Sequence, residues 1–131
     1  MLYRKGFNEL SKLLCEKKTS SREIAESFIK RINETDKIIK SYITFDEERL
    51  IKQAEDSDSR RAAGKPLSLF DGIPVAIKDN INTSGIRTTC ASKILENFIP
   101  PFNAAVYEKL LEKGIIALGK TNMDEFAMGS S

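Results

Sequence analysis

The chain has 131 residues, and its 21 basic and 19 acidic side chains leave a formal net charge of +2. This balance argues against a surface for nucleic acid or an anionic membrane, and the length suffices for one domain with a hydrophobic core. Histidine is absent, which excludes Ser-His-Asp and Cys-His catalysis within these residues. Cys15 and Cys90 match no metal-site or disulfide pattern, so we expect free thiols and a cytoplasmic or organellar-matrix location.

The charged residues are concentrated in the first half of the chain. Residues 1–65 contain 27 of the 40 charged side chains, and the break falls at Gly64-Lys65-Pro66. This distribution predicts solvated helices before the break and a buried α/β core after it.

Three helices are predicted in the first half. Phe7, Leu10 and Leu14 follow helical spacing and predict a helix over about 6–17. Ser20-Ser21-Arg22-Glu23 has the pattern of a capping box and begins a helix over about 21–35. Acidic residues at 46–48 favour the start of a third helix, which ends at Gly64. Between the second and third helices, residues 42–45 have the composition of a short strand.

The second half begins with a strand over 73–77, in which Ile73, Val75 and Ile77 alternate with smaller residues. Lys78 follows at the carboxyl end of this strand, where open α/β sheets bind their ligands. A lysine that is buried loses its charge more readily, and a neutral lysine is able to act as a general base. The alternative is a solvated lysine that ends an ordinary strand.

A loop, a helix and a second strand follow. Residues 81–92 are rich in turn-forming and small residues, and Cys90 within them is interpreted as packing rather than as a nucleophile. Asn103 is predicted to cap a helix over 103–113, and the apolar run 115–118 has the length of a buried strand. Strand, helix and strand form a β-α-β unit, which predicts that the two strands are parallel.

Residues 114–121 also satisfy the phosphate-loop pattern G-x-x-x-x-G-K-[ST]. A phosphate loop lies between a strand and a following helix, whereas here a helix precedes Gly114 and the four variable residues form the strand itself. The sequence therefore argues against nucleotide binding by this segment.

Three segments together resemble the amidase signature family: residues 72–80, Thr88-Thr89-Cys90-Ala91-Ser92, and residues 119–131. The tail Asp-Glu-Phe-Ala-Met-Gly-Ser-Ser at 124–131 is similar to the group of glutamyl-tRNA(Gln) amidotransferase A subunits within that family. The resemblance implies an α/β fold, in which a helical layer (1–65) precedes the first β-α-β part of a mixed sheet (66–131). It also implies that 1–131 is the N-terminal fragment of one amidase-signature domain.

The resemblance implies a Ser–cis-Ser–Lys centre whose lysine is Lys78 and whose serines lie beyond residue 131. Met128 and Gly129 are expected to line the substrate pocket, whereas Ser130 and Ser131 are not the nucleophile. Glutamine is the expected amide donor. Its ammonia is expected to pass to a B subunit, which uses ATP and magnesium to amidate glutamyl-tRNA(Gln), with a small C subunit bracing the pair. No cofactor is expected in this chain itself.

Three functional hypotheses follow from the sequence. The leading one is a fragment of an amidotransferase A subunit that is inactive alone. The alternatives are a non-catalytic interaction protein derived from an amidase, and an amidase that acts on another carboxamide. A partial sheet leaves unpaired edges, so residues 66–131 alone are expected to be only marginally stable.

Overall fold

The computed structural model describes residues 1–129, which form four α-helices and one three-stranded sheet. Three short 3-10 turns, at Leu2–Arg4, Lys93–Leu95 and Glu125–Ala127, complete the regular structure. The helices and strands in chain order are α1 (Phe7–Cys15), α2 (Ser21–Ile39), β1 (Tyr42–Thr44), α3 (Glu47–Ala62), β2 (Pro74–Lys78), α4 (Ala105–Glu112) and β3 (Ile116–Thr121).

The capping box predicted at the start of α2 is confirmed. The Ser20 hydroxyl accepts a hydrogen bond from the Glu23 amide at 3.1 Å, and the Glu23 carboxylate accepts one from the Ser20 amide at 3.0 Å. The helix continues to Ile39, beyond the predicted end near residue 35. It stops at Lys40, whose left-handed backbone turns the chain toward β1.

The sheet is mixed, with strand order β1-β3-β2. β2 and β3 are parallel, which confirms the prediction from the β-α-β pattern, and β1 pairs antiparallel with the other edge of β3. The predicted alternation along β2 is interrupted by a register shift between Val75 and Ala76. Ile73 and Ile77 are buried, whereas Val75 is only half-buried.

The predicted cap of the fourth helix is wrong. α4 begins at Ala105, and Ala104 occupies the capping position without a side-chain hydrogen bond. The Asn103 side chain instead accepts a hydrogen bond from the Ser84 amide at 2.6 Å and donates one to Glu108. Its amide group therefore joins the loop after β2 to the start of α4.

The core consists of two apolar clusters between the helices and the sheet. One is built by Leu10, Leu14, Ile24, Ile73 and Ile115, and the other by Ala25, Leu50, Ala54, Ile116 and Leu118. α2 contributes to both clusters, so the charged first half is a helical layer whose inner faces cover the sheet, as predicted. No helix within residues 1–129 combines the length and the apolar character needed to cross a membrane.

Candidate functional site

The candidate site lies where the parallel strands β2 and β3 end, and we call this region the carboxyl edge. Lys78 is the last residue of β2 and is paired in register with Thr121, the last residue of β3. The Lys78 side chain is exposed, and within residues 1–129 its ammonium makes no hydrogen bond or ion pair. The burial on which the general-base interpretation depended is therefore absent from the described part of the chain, and the catalytic role of Lys78 stays a prediction.

The buried lysine of the carboxyl edge is Lys120, which is 1% exposed. Its Nζ donates to the backbone oxygens of Ile81 (3.0 Å) and Arg87 (3.1 Å) and to the hydroxyls of Thr83 (3.0 Å) and Thr88 (2.9 Å). Burial lowers the pKa of Lys120 from its ordinary value, while the nearby Asp79 carboxylate acts in the opposite direction.

The counter-charge is Asp79, the residue directly after Lys78. Its carboxylate is fully buried, with Oδ1 3.2 Å from Lys120 Nζ. The other oxygen, Oδ2, accepts hydrogen bonds from the Thr89 amide (3.1 Å) and the Thr89 hydroxyl. The Asp79 backbone donates to Thr121 and accepts from the Cys90 amide. Asp79 therefore joins β2, β3 and the loop that follows β2.

Two loop segments meet at the carboxyl edge in strained conformations. Cys90 and Ala91 have φ values of 50° and 56°, and Phe126 and Ala127 have φ values of 52° and 58°. These left-handed values are unfavourable for residues with a side chain. The Phe126 amide donates to the Cys90 oxygen at 3.0 Å, so the two strained pairs are in direct contact. Strained backbone of this kind is concentrated at functional sites.

Met128 and Gly129 follow the second strained segment. Met128 is 80% exposed, and a Cβ at position 129 would overlap the Asp124 side chain. A glycine is therefore required there for this turn to pack against Asp124. The substrate-binding role of both residues stays a prediction, and Ser130 and Ser131 lie outside the described residues.

The sequence interpretation missed Lys120 and Asp79, although a signal for them exists. Ile116, Leu118 and Lys120 occupy alternate positions of β3 and are all buried. The period-2 pattern of a strand therefore places Lys120 on the same inward face as the two apolar residues. Ile77 and Asp79 stand in the same relation at the end of β2. When a charged residue occupies the next inward-facing position after buried apolar residues in each of two neighbouring strands, and the two charges are opposite, the pattern indicates a buried ion pair.

Other site types find no support in the described part of the chain. Residues 116–121 are strand β3, and Gly114 ends a helix, so the phosphate-loop pattern lacks the strand-loop-helix context that phosphate binding requires. Within residues 1–129 no three His, Cys, Asp or Glu side chains are grouped closely enough to hold a metal ion.

The mixed α/β fold and the segments at the carboxyl edge define the class of this protein. The family model described as Amidase matches residues 23–131, and the chain belongs to that family. Among curated relatives, it is 53% identical over 130 residues to the A subunit of the glutamyl-tRNA(Gln) amidotransferase of Leptospira interrogans. It is 48% identical over 122 residues to the corresponding mitochondrial protein of Ornithorhynchus anatinus.

Solved structures agree with this assignment. A peptide amidase from Stenotrophomonas maltophilia superimposes with a TM-score of 0.88 at 26% identity over 94% of this chain. The A subunit of the glutamyl-tRNA(Gln) amidotransferase of Thermotoga maritima matches with a TM-score of 0.74 at 36% identity over the whole chain. The chain spans about a quarter of these relatives: 27% of the Leptospira protein, 23% of the Ornithorhynchus protein, 26% of the peptide amidase chain and 25% of the Thermotoga chain.

Proposed function

We propose that these residues belong to the glutamine-hydrolysing A subunit of a glutamyl-tRNA(Gln) amidotransferase, in which Lys78 is the general base. The observation that carries the proposal is the exposed Lys78 side chain at the carboxyl edge, followed at once by the immobilised Asp79. A reactive lysine must reach a partner outside its own strand, and a rigid residue beside it fixes the direction in which it points.

In the proposed mechanism, Lys78 acts as the base and accepts a proton from a bridging serine, which accepts the proton of a second, nucleophilic serine. The nucleophile attacks the carboxamide carbon of glutamine, and the C–N bond breaks as the nitrogen takes that proton back from Lys78 through the bridging serine and leaves as ammonia. Water then hydrolyses the acyl-enzyme to glutamate. Both serines are expected beyond residue 131, so a polypeptide of residues 1–131 alone is expected to be inactive.

The proposal extends to the partners of the complete protein. Ammonia from glutamine would be used by a B subunit, which consumes ATP with magnesium to convert glutamyl-tRNA(Gln) to glutaminyl-tRNA(Gln), and a C subunit would stabilise the pair. Identities of 48% and 53% to amidotransferase A subunits, against 26% to a peptide amidase, favour glutamine over another carboxamide as the substrate.

The test is glutamine hydrolysis by the full-length chain co-purified with its partner subunits. Lys78→Ala should lower kcat by at least about a hundredfold, the lower end of the range for loss of a general base. Lys109→Ala is the matched control, since Lys109 is an exposed lysine on α4 away from the carboxyl edge, and its activity should equal that of the wild type. Unchanged ammonia release in the Lys78→Ala variant would contradict the proposed role.

The same assay separates the alternatives. An interaction protein would bind its partners but release no ammonia from any amide. An amidase of another specificity would hydrolyse a different carboxamide, such as a peptide amide, in preference to glutamine.

A further inference from the structure

The loop after β2, residues 79–92, contains no helix or strand, and six of its hydrogen bonds converge on two buried side chains. Lys120 binds the loop at Ile81, Thr83, Arg87 and Thr88, and Asp79 binds it at Thr89. A single buried ammonium thus gathers four loop positions, in the way a bound cation organises a loop of backbone carbonyls.

The oxygen atoms around Lys120 are arranged for a protonated amine. Five oxygens lie within 3.2 Å of Nζ, more than the three N–H groups of an ammonium. Two of them are backbone oxygens and one belongs to a carboxylate, so these three only accept. The two hydroxyls also face Nζ with lone pairs, because Thr83 donates its proton to Ile86 O and Thr88 donates its proton to Ile81 O.

Because these oxygens hold the nitrogen of Lys120 as an ammonium, Lys120 is not a second general base. Its position in the sheet relates it instead to Lys78. Asp79 follows Lys78 directly, and Lys120 precedes Thr121, the register partner of Lys78. Since successive residues of an extended chain point to opposite sides, anchoring Asp79 inward directs Lys78 outward. The anchored loop also carries Cys90, whose strained turn contacts the segment before Met128.

We infer that Lys120 and Asp79 are positioning residues: their buried ion pair fixes the loop of residues 79–92 and thereby holds Lys78 in its reactive geometry. The inference rests on the proposed function for the identity of the reaction. The anchoring of the loop stands on the contacts alone. Displacing a catalytic group by about 1 Å is able to cost about a hundredfold in rate, so loss of the anchor should act mainly on kcat.

The decisive comparison uses Lys120→Met, Asp79→Asn and the double variant in the full-length chain with its partner subunits. Each single variant leaves one buried charge without a partner, which destabilises the fold. The double variant removes both charges and should be more stable to heat than either single variant. Its kcat should nevertheless stay at least about tenfold below wild type while KM changes less than about threefold, because neither methionine nor asparagine gathers the loop oxygens as the ion pair does.

A purely structural ion pair would give the opposite result, since kcat would recover together with stability in the double variant. Thr88→Val, which removes one hydroxyl that faces Nζ without changing shape, should fold and lower kcat by about three- to tenfold. Wild-type kcat in Thr88→Val, together with recovery in the double variant, would overturn the inference. Lys109→Met, the same substitution at an exposed site, should leave kcat unchanged.

Amide hydrogen exchange tests the anchoring without any assay of activity. Peptides covering residues 79–92 should exchange at least about tenfold faster in the double variant, whereas peptides of α2 should exchange at the wild-type rate. Unchanged protection of 79–92 would overturn the anchoring. If the wild-type assembly releases no ammonia from glutamine, the proposed function fails, and the exchange measurement still decides whether the ion pair holds the loop.

Discussion

The substitution Asp71→Ala tests how the helical layer is attached to the sheet. Asp71 lies in the turn before β2, and its side chain is fully buried. It accepts two hydrogen bonds from Arg60 of α3, at 2.8 Å and 2.7 Å, and a third from the Leu67 amide at 2.8 Å. The neighbouring Arg61 donates to the backbone oxygen of Asp71, so that the end of α3 is held to the turn at several points.

The expected loss follows from these three hydrogen bonds. A hydrogen bond to a charged group contributes about 1.5–3 kcal/mol, and a simple sum would overstate the loss because such contributions are not additive. The Arg60 side chain is 33% exposed, so after the substitution water is able to solvate its guanidinium and reduces the cost. We therefore expect Asp71→Ala to lower the free energy of unfolding by about 2–4 kcal/mol at neutral pH.

The dependence on pH has a definite sign. Burial by itself raises the pKa of Asp71. This effect is smaller than the combined lowering by the hydrogen bonds from Arg60 and the Leu67 amide and by the charge of Arg60. The pKa of Asp71 therefore lies below its ordinary value. A carboxyl with a lowered folded-state pKa stabilises the fold above its unfolded pKa of about 3.9, and this contribution is lost as the pH falls through the folded-state pKa. The difference between wild type and variant should be constant from about pH 5 to pH 7 and shrink at lower pH.

Urea denaturation of the 131-residue chain, followed by far-UV circular dichroism at several pH values, measures both effects. Asp56→Ala is the matched control, because Asp56 is an exposed aspartate on the same helix as Arg60, and it should change the free energy by less than about 0.5 kcal/mol. A loss below about 0.5 kcal/mol for Asp71→Ala would refute the reasoning. A difference that persists unchanged to about pH 2 would refute the electrostatic part.

Two further predictions concern the junction of the layers. Gly72→Ala should lower the free energy of unfolding by about 2–5 kcal/mol. The reason is that φ at this position is +91° and that the new Cβ would lie 2.6 Å from Ser21 Oγ and would also meet Ser57 Oγ. Urea denaturation measures the loss, and wild-type stability of the variant would contradict the prediction. Residues 66–131 expressed alone should unfold over a broad temperature range, because β3 then lacks its partner strand β1 and the core lacks the side chains of α2 and α3. A sharp, cooperative calorimetric transition of a monomer would count against this prediction.

Much of the fold was predictable because its signals are local. The apolar spacing of α1 and α2 and the capping box at Ser20 depend on residues within a few positions of one another. The parallel pairing of β2 and β3 follows from the β-α-β order, which constrains topology strongly. The position of β1 on the far side of β3 was not predictable, since a three-residue strand carries no information about its partner.

The errors have a common physical cause, which is the recruitment of polar side chains by distant segments. Asn103 had the residue type of a helix cap, but the Ser84 amide lies close enough to bind it instead. Lys120 was not singled out because the oxygen atoms that surround its ammonium come from residues 79–88, which are distant in the sequence. At the carboxyl edge, therefore, the alternation along each strand was a local signal for which lysine is buried, whereas the partners of Lys120 could not be read from the sequence.

The central position of β3 has a consequence for synthesis on the ribosome. β1 and β2 both pair with this strand, which is made after them, and the contact between Lys40 and Asn122 spans 82 positions. At about 5–20 residues per second, β1 would wait about 4–16 seconds for its partner to be made. During that interval the local helices are able to form, while the inner faces of α2 and α3 have no sheet to cover. The helical layer of the nascent chain is therefore more exposed to aggregation and to chaperone binding before β3 emerges than after it.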